Sequence, residues 1–170
     1  SAVFCTLPLS LSPGLFFSLH SIVTLSSNEL SSGMTLHLNS HRPGKPMDNQ
    51  EGTLYPGQSF IQVPRSLTLS DMHCTLHGDQ VTVKEPTELI LQLWRAKKTE
   101  KEKDRPIFHP TDLKIVFELK EESTEAVPLF ENKTSSDHSV QIQKGDFLSL
   151  FLRVTQGSMM SLGYFDVHVS

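Results

Sequence analysis

Charge is nearly absent from the first quarter of the chain, where Glu29 is the only acidic or basic residue before Arg42. A stretch this poor in charge must be largely covered, so we expect it to supply core strands or to pack on a partner. Over the whole chain the net charge is −4, which gives no broad attraction to nucleic acid or to an anionic membrane.

Long apolar runs are also missing. No segment approaches the ~20 apolar residues that a membrane-spanning helix needs, so we predict no membrane span. The apolar stretch 2–25 is interrupted by polar residues and lacks the basic start of a secretory signal. The chain begins with Ser1 and not Met, so we expect a fragment or a processed form. The sequence does not determine the cellular compartment.

Cysteine is scarce, with only Cys5 and Cys74 present. Two thiols this far apart can form one disulfide or stay as two free, buried side chains, and the second reading is the one we favour.

Recognisable catalytic motifs are absent: neither Gly-x-Ser-x-Gly nor Gly-x-Gly-x-x-Gly occurs. His73 and His77 would share one face of a strand but lie roughly 13 Å apart there, at about 3.3 Å per residue. That separation does not suit one Zn²⁺ ion, and Cys74 points to the other face. Asp166 and His168 share a strand face in a way that is common on surfaces. We therefore predict no enzyme, no catalytic residue, no metal site and no cofactor.

What the sequence does contain is a two-residue alternation of apolar and polar side chains. It runs through 34–38, 113–119 and 165–169. Side chains on a strand point to opposite faces in turn, so this period predicts strands with one buried and one wet face. We predict an all-β fold, an antiparallel β-sandwich of jelly-roll or Ig-like type with roughly eight to ten strands. Residues 1–170 form one domain, either free-standing or cut from a larger protein.

Two hairpins are predicted. A two-residue loop at Gly78-Asp79 would place Leu76 opposite Val81, so that all apolar residues fall on one face, and Gly at the first loop position suits a type II′ turn. A three-residue loop at 144–146, Lys-Gly-Asp, would place Ile142 opposite Leu148.

The segment Phe147–Val154 is apolar on nearly both faces, which is typical of a central strand or of one covered by a partner. Gln156-Gly157-Ser158 is predicted to end this strand, before a last strand from about residue 162. If Phe16, Phe17, Phe147 and Phe151 were exposed together, they would form an apolar patch of the kind that marks interfaces.

Three polar stretches, 41–52, 95–105 and 121–133, are predicted to be loops. The second carries six basic and three acidic residues beside Trp94. A basic groove beside an aromatic can bind single-stranded nucleic acid, but the interspersed acids dilute the field, so nucleic acid is disfavoured as a partner. The third ends within the sequon Asn132-Lys133-Thr134, which makes Asn132 a candidate glycosylation site.

The segment Ser139–Ser170 runs strand, Lys-Gly-Asp turn, strand, loop and a final strand with Gly163-Tyr164-Phe165. This order resembles the C-terminal end of tumour-necrosis-factor or C1q-type jelly rolls, over about a fifth of the chain. Those jelly rolls carry an aromatic-Gly step in the last strand, whereas glycine comes first here. The resemblance implies a secreted or cell-surface trimeric ligand.

The function that we predict is non-enzymatic: a protein–protein interaction or assembly module that binds a protein partner or itself. The jelly-roll ligand is the first alternative and a nucleic-acid-binding β-barrel is the second.

Overall fold

The structure is a computed structural model. It describes residues 2–5, 10–12, 18–33, 35–37, 52–53, 60–98 and 106–170, and the side chains of 30–33, 60–98, 106–160 and 166–170. Of the predicted loops 41–52 and 95–105, residues 41–51 and 99–105 lie outside the described residues, whereas 52 and 95–96 belong to strands and not to loops.

The described chain contains twelve strands and no helix, and six of the strands have only two or three residues. Their bounds are β1 Ala2–Cys5, β2 Ser10–Ser12, β3 Ser18–Ser31, β4 Thr35–His37, β5 Gly52–Thr53, β6 Ile61–Gln62, β7 Leu67–Leu69, β8 Met72–Ala96, β9 Ile107–Leu119, β10 Val127–Ser135, β11 Val140–Ile142 and β12 Phe147–Val169.

Every pairing between these strands is antiparallel. The main sheet has the order β1-β3-β12-β8-β9-β5, and β7 and β11 form a separate pair. The predicted all-β antiparallel class is confirmed, whereas the choice between a jelly-roll and an Ig-like version stays a prediction.

The long strands β8 and β12 run side by side along their whole length and define two halves of the main sheet. In the β10 half, 72–83 of β8 pair with 159–169 of β12, flanked by β10 and β3. In the β9 half, 87–96 of β8 pair with 147–156 of β12, flanked by β9, β4 and β6.

One side-chain contact shows that the sheet folds over on itself. Lys133 pairs with Cys74, and Val116 pairs with Ile90, sixteen residues further along β8. In a flat sheet those positions would be about 50 Å apart at ~3.3 Å per residue. Lys133 Nζ nevertheless donates to the Val116 carbonyl at 2.7 Å. The two halves therefore come together as two layers, and the inner faces of both contribute to one apolar core.

The core side chains come from both long strands and from β9. From the β10 half they include Cys74, Leu76 and Val167, and from the β9 half Leu91 and Leu150, all fully buried. The β7–β11 pair adds Leu69 and Ile142 to the same core.

The predicted hairpin at Gly78-Asp79 is wrong. The chain continues through it as β8, and Gly78 pairs with Gly163 while Gln80 pairs with Leu162. Asp79 is therefore the extra residue of a β-bulge. After a bulge, as after a two-residue turn, odd-numbered residues face the core where even-numbered residues did before. Leu76 and Val81 are therefore both buried.

The predicted turn at 144–146 is present, but its flanking strands do not pair with each other. β11 pairs with β7, whereas β12 pairs with β8, β4 and β6. Asp146 N donates to Gln143 O at 3.0 Å, and Gly145 has a φ of 93°, as the third position of a type II turn requires. The turn thus carries the chain from the small sheet into the main one.

Gln156–Ser158 does not end a strand, contrary to the prediction. β12 continues through it with several register shifts, opposite the segment that contains Pro86. Gly157 has a φ of 86°, and a Cβ there would lie 2.1 Å from the Pro86 carbonyl oxygen. We call 85–88 and 155–158 the corner, because it separates the two halves of the sheet.

The alternating segment 113–119 lies in β9 as predicted, and the doubly apolar segment Phe147–Val154 is the central part of the β9 half, with neighbours on both edges. The segment 121–133, predicted as a loop, is strand from Val127 onward.

Candidate functional site

The outer face of the β9 half carries a cluster of aromatic side chains. Leu93 points into the core, so its neighbour Trp94 points outward. Around Trp94 lie four phenylalanines, and we call the five residues the aromatic face: Phe60, Trp94, Phe108, Phe147 and Phe151. In most antiparallel sheets the face opposite the core is polar, so this composition needs an explanation.

The rings of the aromatic face touch one another in series. Trp94 stacks on Phe151 with ring centroids 4.3 Å apart, and Phe108 lies 6.0 Å from Phe151. At the border, Phe60 meets Phe147 edge to face at 5.1 Å. These are favourable aromatic geometries, so the cluster is a packed unit.

Exposure divides the aromatic face into a covered centre and an open border. Trp94 is only 1% exposed, and Phe108 and Phe151 are equally buried. Phe60 is 41% exposed, and its partner Phe147 is half-buried. A new contact on this face would therefore be made first through Phe60 and Phe147.

Two hydrogen bonds at a β-bulge hold Trp94 in position. Between Gln92 and Trp94 the register with β9 shifts. In this bulge, Gln92 Nε2 donates to the Thr111 carbonyl at 2.6 Å, and Thr111 Oγ1 donates to the Leu93 carbonyl at 2.7 Å. Side chains thus replace ladder bonds at the bulge, as buried backbone groups require.

The buried carboxylate of Asp146 fixes the start of β12 and with it Phe147. Asp146 Oδ2 accepts a hydrogen bond from Gln143 N at 2.9 Å and lies 3.7 Å from Lys97 Nζ. The Asp146 carbonyl accepts from Val63 N at 2.8 Å, which ties the segment after Phe60 to the same turn. Exposed Phe60 and half-buried Phe147, the two border members of the aromatic face, are therefore anchored to one turn.

The sequence prediction of a four-phenylalanine patch meets the structure only in part. Phe147 is half-buried and Phe151 is buried beneath Trp94, so Phe151 is not available as an exposed contact. Phe16 and Phe17 lie outside the described residues. Phe60 and Phe108 could not be assigned to this patch from the sequence, because each lies far along the chain from the phenylalanines of β12.

The outer face of the β10 half has a different composition. It carries His73, Thr75 and His77 from β8, and Asp166 and His168 from β12, all partly or fully exposed. Phe130 of β10 is the most exposed large apolar residue described, at 65%, and its ring meets the His77 ring at 6.3 Å.

The sequon residue Asn132 lies on strand β10, paired with Thr75, and not in a loop as predicted. Its side chain is exposed on the outer face of the β10 half, so nothing in the described chain blocks a glycan there. Its glycosylation stays a prediction.

Cys74 is a free thiol and fully buried, which rules out the Cys5–Cys74 disulfide and agrees with the favoured reading for this residue. Loss of solvent raises the pKa of the Cys74 thiol far above its ordinary value, and the Asp166 carboxylate adds to the shift. A thiol in this state is a poor nucleophile, so Cys74 is a core residue.

A groove of about 420 Å³ lies at the corner, and a second groove of about 340 Å³ adjoins it on the side of the β10 half. The two share Glu118, Leu119 and Lys120, and the described residues that line them include neither histidine nor cysteine. The absence of enzymatic activity stays a prediction.

Three further predictions, on nucleic-acid binding, metal binding and membrane spans, can be compared with the described residues. Trp94, which a nucleic-acid-binding barrel would use for base stacking, is buried. Among the described side chains, no group of three or more metal-ligating residues is gathered. The described part of the chain also has no helix with the length and apolarity to span a membrane.

Comparison with known proteins gives similarity to solved structures alone. No protein-family model matches the chain. No curated protein matches it either. Among solved structures, it is similar to the structure of Eiger TNF from S. frugiperda, with 13% sequence identity and a TM-score of 0.40, over 88% of this chain and 90% of that chain.

Proposed function

We propose that this chain is a non-enzymatic protein–protein interaction module that associates with a second copy of itself through the aromatic face. The observation that supports the proposal is the placement of five aromatic residues on a sheet face that is normally polar, with Phe60 and Phe147 open at its border.

The chemistry of the border suits a contact between proteins. Aromatic side chains are enriched at the centres of interfaces, because they bury a large apolar area at a small cost in conformational entropy. The rings of Phe60 and Phe147 already hold each other in one geometry at 5.1 Å, so association would freeze few additional rotamers.

Self-association can be tested with Phe60→Ser and a matched control, Phe130→Ser, on the outer face of the other half. Phe130 is more exposed than Phe60, at 65% against 41%. If association were non-specific hydrophobic contact, Phe130→Ser would therefore weaken it more than Phe60→Ser. By sedimentation velocity over a range of concentrations, we expect wild type and Phe130→Ser to associate alike. Phe60→Ser should weaken association about tenfold or more, as truncation of an interface hot spot does.

Two results would count against the proposal. One is a wild-type chain that stays monomeric at all concentrations tested. The other is a Phe130→Ser variant that loses association while Phe60→Ser keeps it, which would move the contact to the β10 half.

A further inference from the structure

A glycosylation sequon and an exposed aromatic ring share one face of strand β10. Phe130, Asn132 and Thr134 are two residues apart, so their side chains point to the same side of the sheet. That side is the outer face of the β10 half, because the intervening Lys133 reaches across to the other layer and donates to the Val116 carbonyl at 2.7 Å. The single Asn-x-Ser/Thr triplet of the sequence is therefore displayed outward, beside a phenylalanine.

The Phe130 ring is open to solvent and contacts a histidine at one side. It is 65% exposed, the largest value among the large apolar side chains described. Its cross-strand partner is His77, whose ring it meets edge to face at a centroid distance of 6.3 Å. This contact favours one orientation of the phenyl ring and leaves most of its surface available to another group.

Asn132 has the room that a glycan needs. Its side chain is exposed and lies opposite Thr75, a small residue of β8. β10 pairs with β8, and in the described part of the chain no second strand pairs with the opposite edge of β10. A glycan, which is bulky and solubilising, can therefore extend past this edge into solvent.

The position of Phe130 relative to Asn132 suits a contact with the first sugar. Two such residues on one face of a strand lie roughly 6.6 Å apart, at about 3.3 Å per residue, so a sugar attached to Asn132 Nδ2 is within reach of the phenyl ring. Sugar rings present a face of C–H groups, which packs favourably against the negative face of an aromatic ring. Thr134, the neighbour on the other side, bonds to His73 Nδ1 at 2.8 Å and offers no ring.

We propose that Asn132 carries an N-linked glycan whose first N-acetylglucosamine packs on the Phe130 ring. In the transfer step Asn132 Nδ2 loses a proton and forms a bond to C1 of this sugar. The bond between C1 and the phosphate oxygen of a lipid-linked oligosaccharide breaks, and the lipid pyrophosphate leaves with the electron pair. The cell's oligosaccharyl transferase supplies the catalysis, and this chain supplies the acceptor and the packing surface. The proposal does not rest on self-association, because the aromatic face lies on the other half.

Expression through the secretory pathway of a eukaryotic cell tests the modification. In chains recovered from that pathway, whether secreted or retained, we expect peptide mass spectrometry to find a glycan on Asn132 of wild type and of Phe130→Ser. The Asn132→Gln variant should carry none. A wild-type Asn132 peptide without glycan would overturn the proposal.

A thermal double-mutant cycle tests the contact with Phe130. An endoglycosidase that leaves one N-acetylglucosamine on Asn132 gives a defined sample, which is compared with the same chain made without glycan in bacteria. At low protein concentration, the single sugar should raise the melting temperature of wild type and of Phe130→Tyr by about 2 °C or more. The same sugar should give no rise in Phe130→Ser, because the ring is gone.

The matched control is Phe60→Ser, which removes an exposed phenylalanine from the other half, so the sugar should stabilise it as it does wild type. Each comparison joins two forms of one sequence, so a loss of stability caused by the substitution itself cancels. A sugar that raises the melting temperature of Phe130→Ser as much as that of wild type, or that raises neither, would overturn the contact.

Discussion

The two halves of the main sheet share their two central strands, yet their outer faces differ. In the β9 half, outward-facing Trp94 and Phe151 are buried, and neighbouring rings extend the apolar surface to Phe60. In the β10 half, the outward positions hold His73, Thr75 and other polar or charged residues that water reaches, together with the exposed ring of Phe130. The inner faces of both halves are equally apolar.

We infer from this difference that the inner faces stabilise the fold and that the outer face of the β9 half makes the proposed contact. Burying one face of each half in a common core is enough to hold two layers together. The second apolar face in the β9 half exceeds that need, which is why we assign association to it. The outer face of the β10 half is exposed to solvent and carries imidazoles and carboxylates.

Removing the central ring of the aromatic face should have the largest effect on stability. Trp94→Ala deletes a buried aromatic, so we expect the free energy of unfolding to fall by about 3–5 kcal/mol. Thr75→Ala, at an outward position of the β10 half, should change it by less than about 0.5 kcal/mol. Urea denaturation of both variants checks the comparison, and equal losses would show that the two outer faces are not different.

The corner between the halves should tolerate no side chain at Gly157. Gly157→Ala combines a positive φ with a Cβ placed against the Pro86 carbonyl, so we expect a loss of at least about 2 kcal/mol. Gly33→Ala is the matched control, because Gly33 has a φ of 92° but no atom within 4 Å of its Cβ position. Its loss in urea denaturation should be smaller, since only backbone strain remains, and a reversed order would refute the close contact at the corner.

Asp146 anchors the border of the aromatic face, so Asp146→Ala should cost about 1–3 kcal/mol by leaving the Gln143 N–H without its acceptor. Asp137→Ala, at an exposed position, should leave the free energy of unfolding unchanged within about 0.5 kcal/mol. Thermal unfolding of the two variants distinguishes them. An Asp146→Ala variant as stable as wild type would show that the Asp146 carboxylate does not stabilise the turn.

Cys74 makes the stability of the β10 half dependent on pH in the alkaline range. Its pKa is raised in the folded chain, so below about pH 8.5, the ordinary thiol pKa, the thiol is neutral in both states and contributes no pH dependence. Above that pH only the unfolded thiol ionises, and the free energy of unfolding falls as pH rises. Between pH 7.5 and 10, wild type should lose more stability than Cys74→Ala, and parallel losses would contradict the burial of the thiol.

Much of the fold could be predicted from the sequence, because strand periodicity is local. The alternation at 113–119 and the doubly apolar segment Phe147–Val154 both predicted strands that are present. The Lys-Gly-Asp turn at 144–146 was also found from its residues alone. The predicted strand pairing at Gly78-Asp79 was wrong. Apolar residues occupy even positions before this dipeptide and odd positions after it, and both a bulge and a hairpin produce that change.

The aromatic face could not be predicted from the sequence, because it depends on register between distant strands. Phe60 meets Phe147 only after β6 has paired with β12.

Hydroxyl-radical footprinting, with the oxidation rate of each phenylalanine measured by mass spectrometry at low and high protein concentration, tests the central claim most directly. We predict that oxidation of Phe60 slows as the concentration rises, while that of Phe130, the more exposed ring, stays constant. Protection of Phe130 in place of Phe60, or constant rates at both rings, would contradict the assignment of contact to the aromatic face.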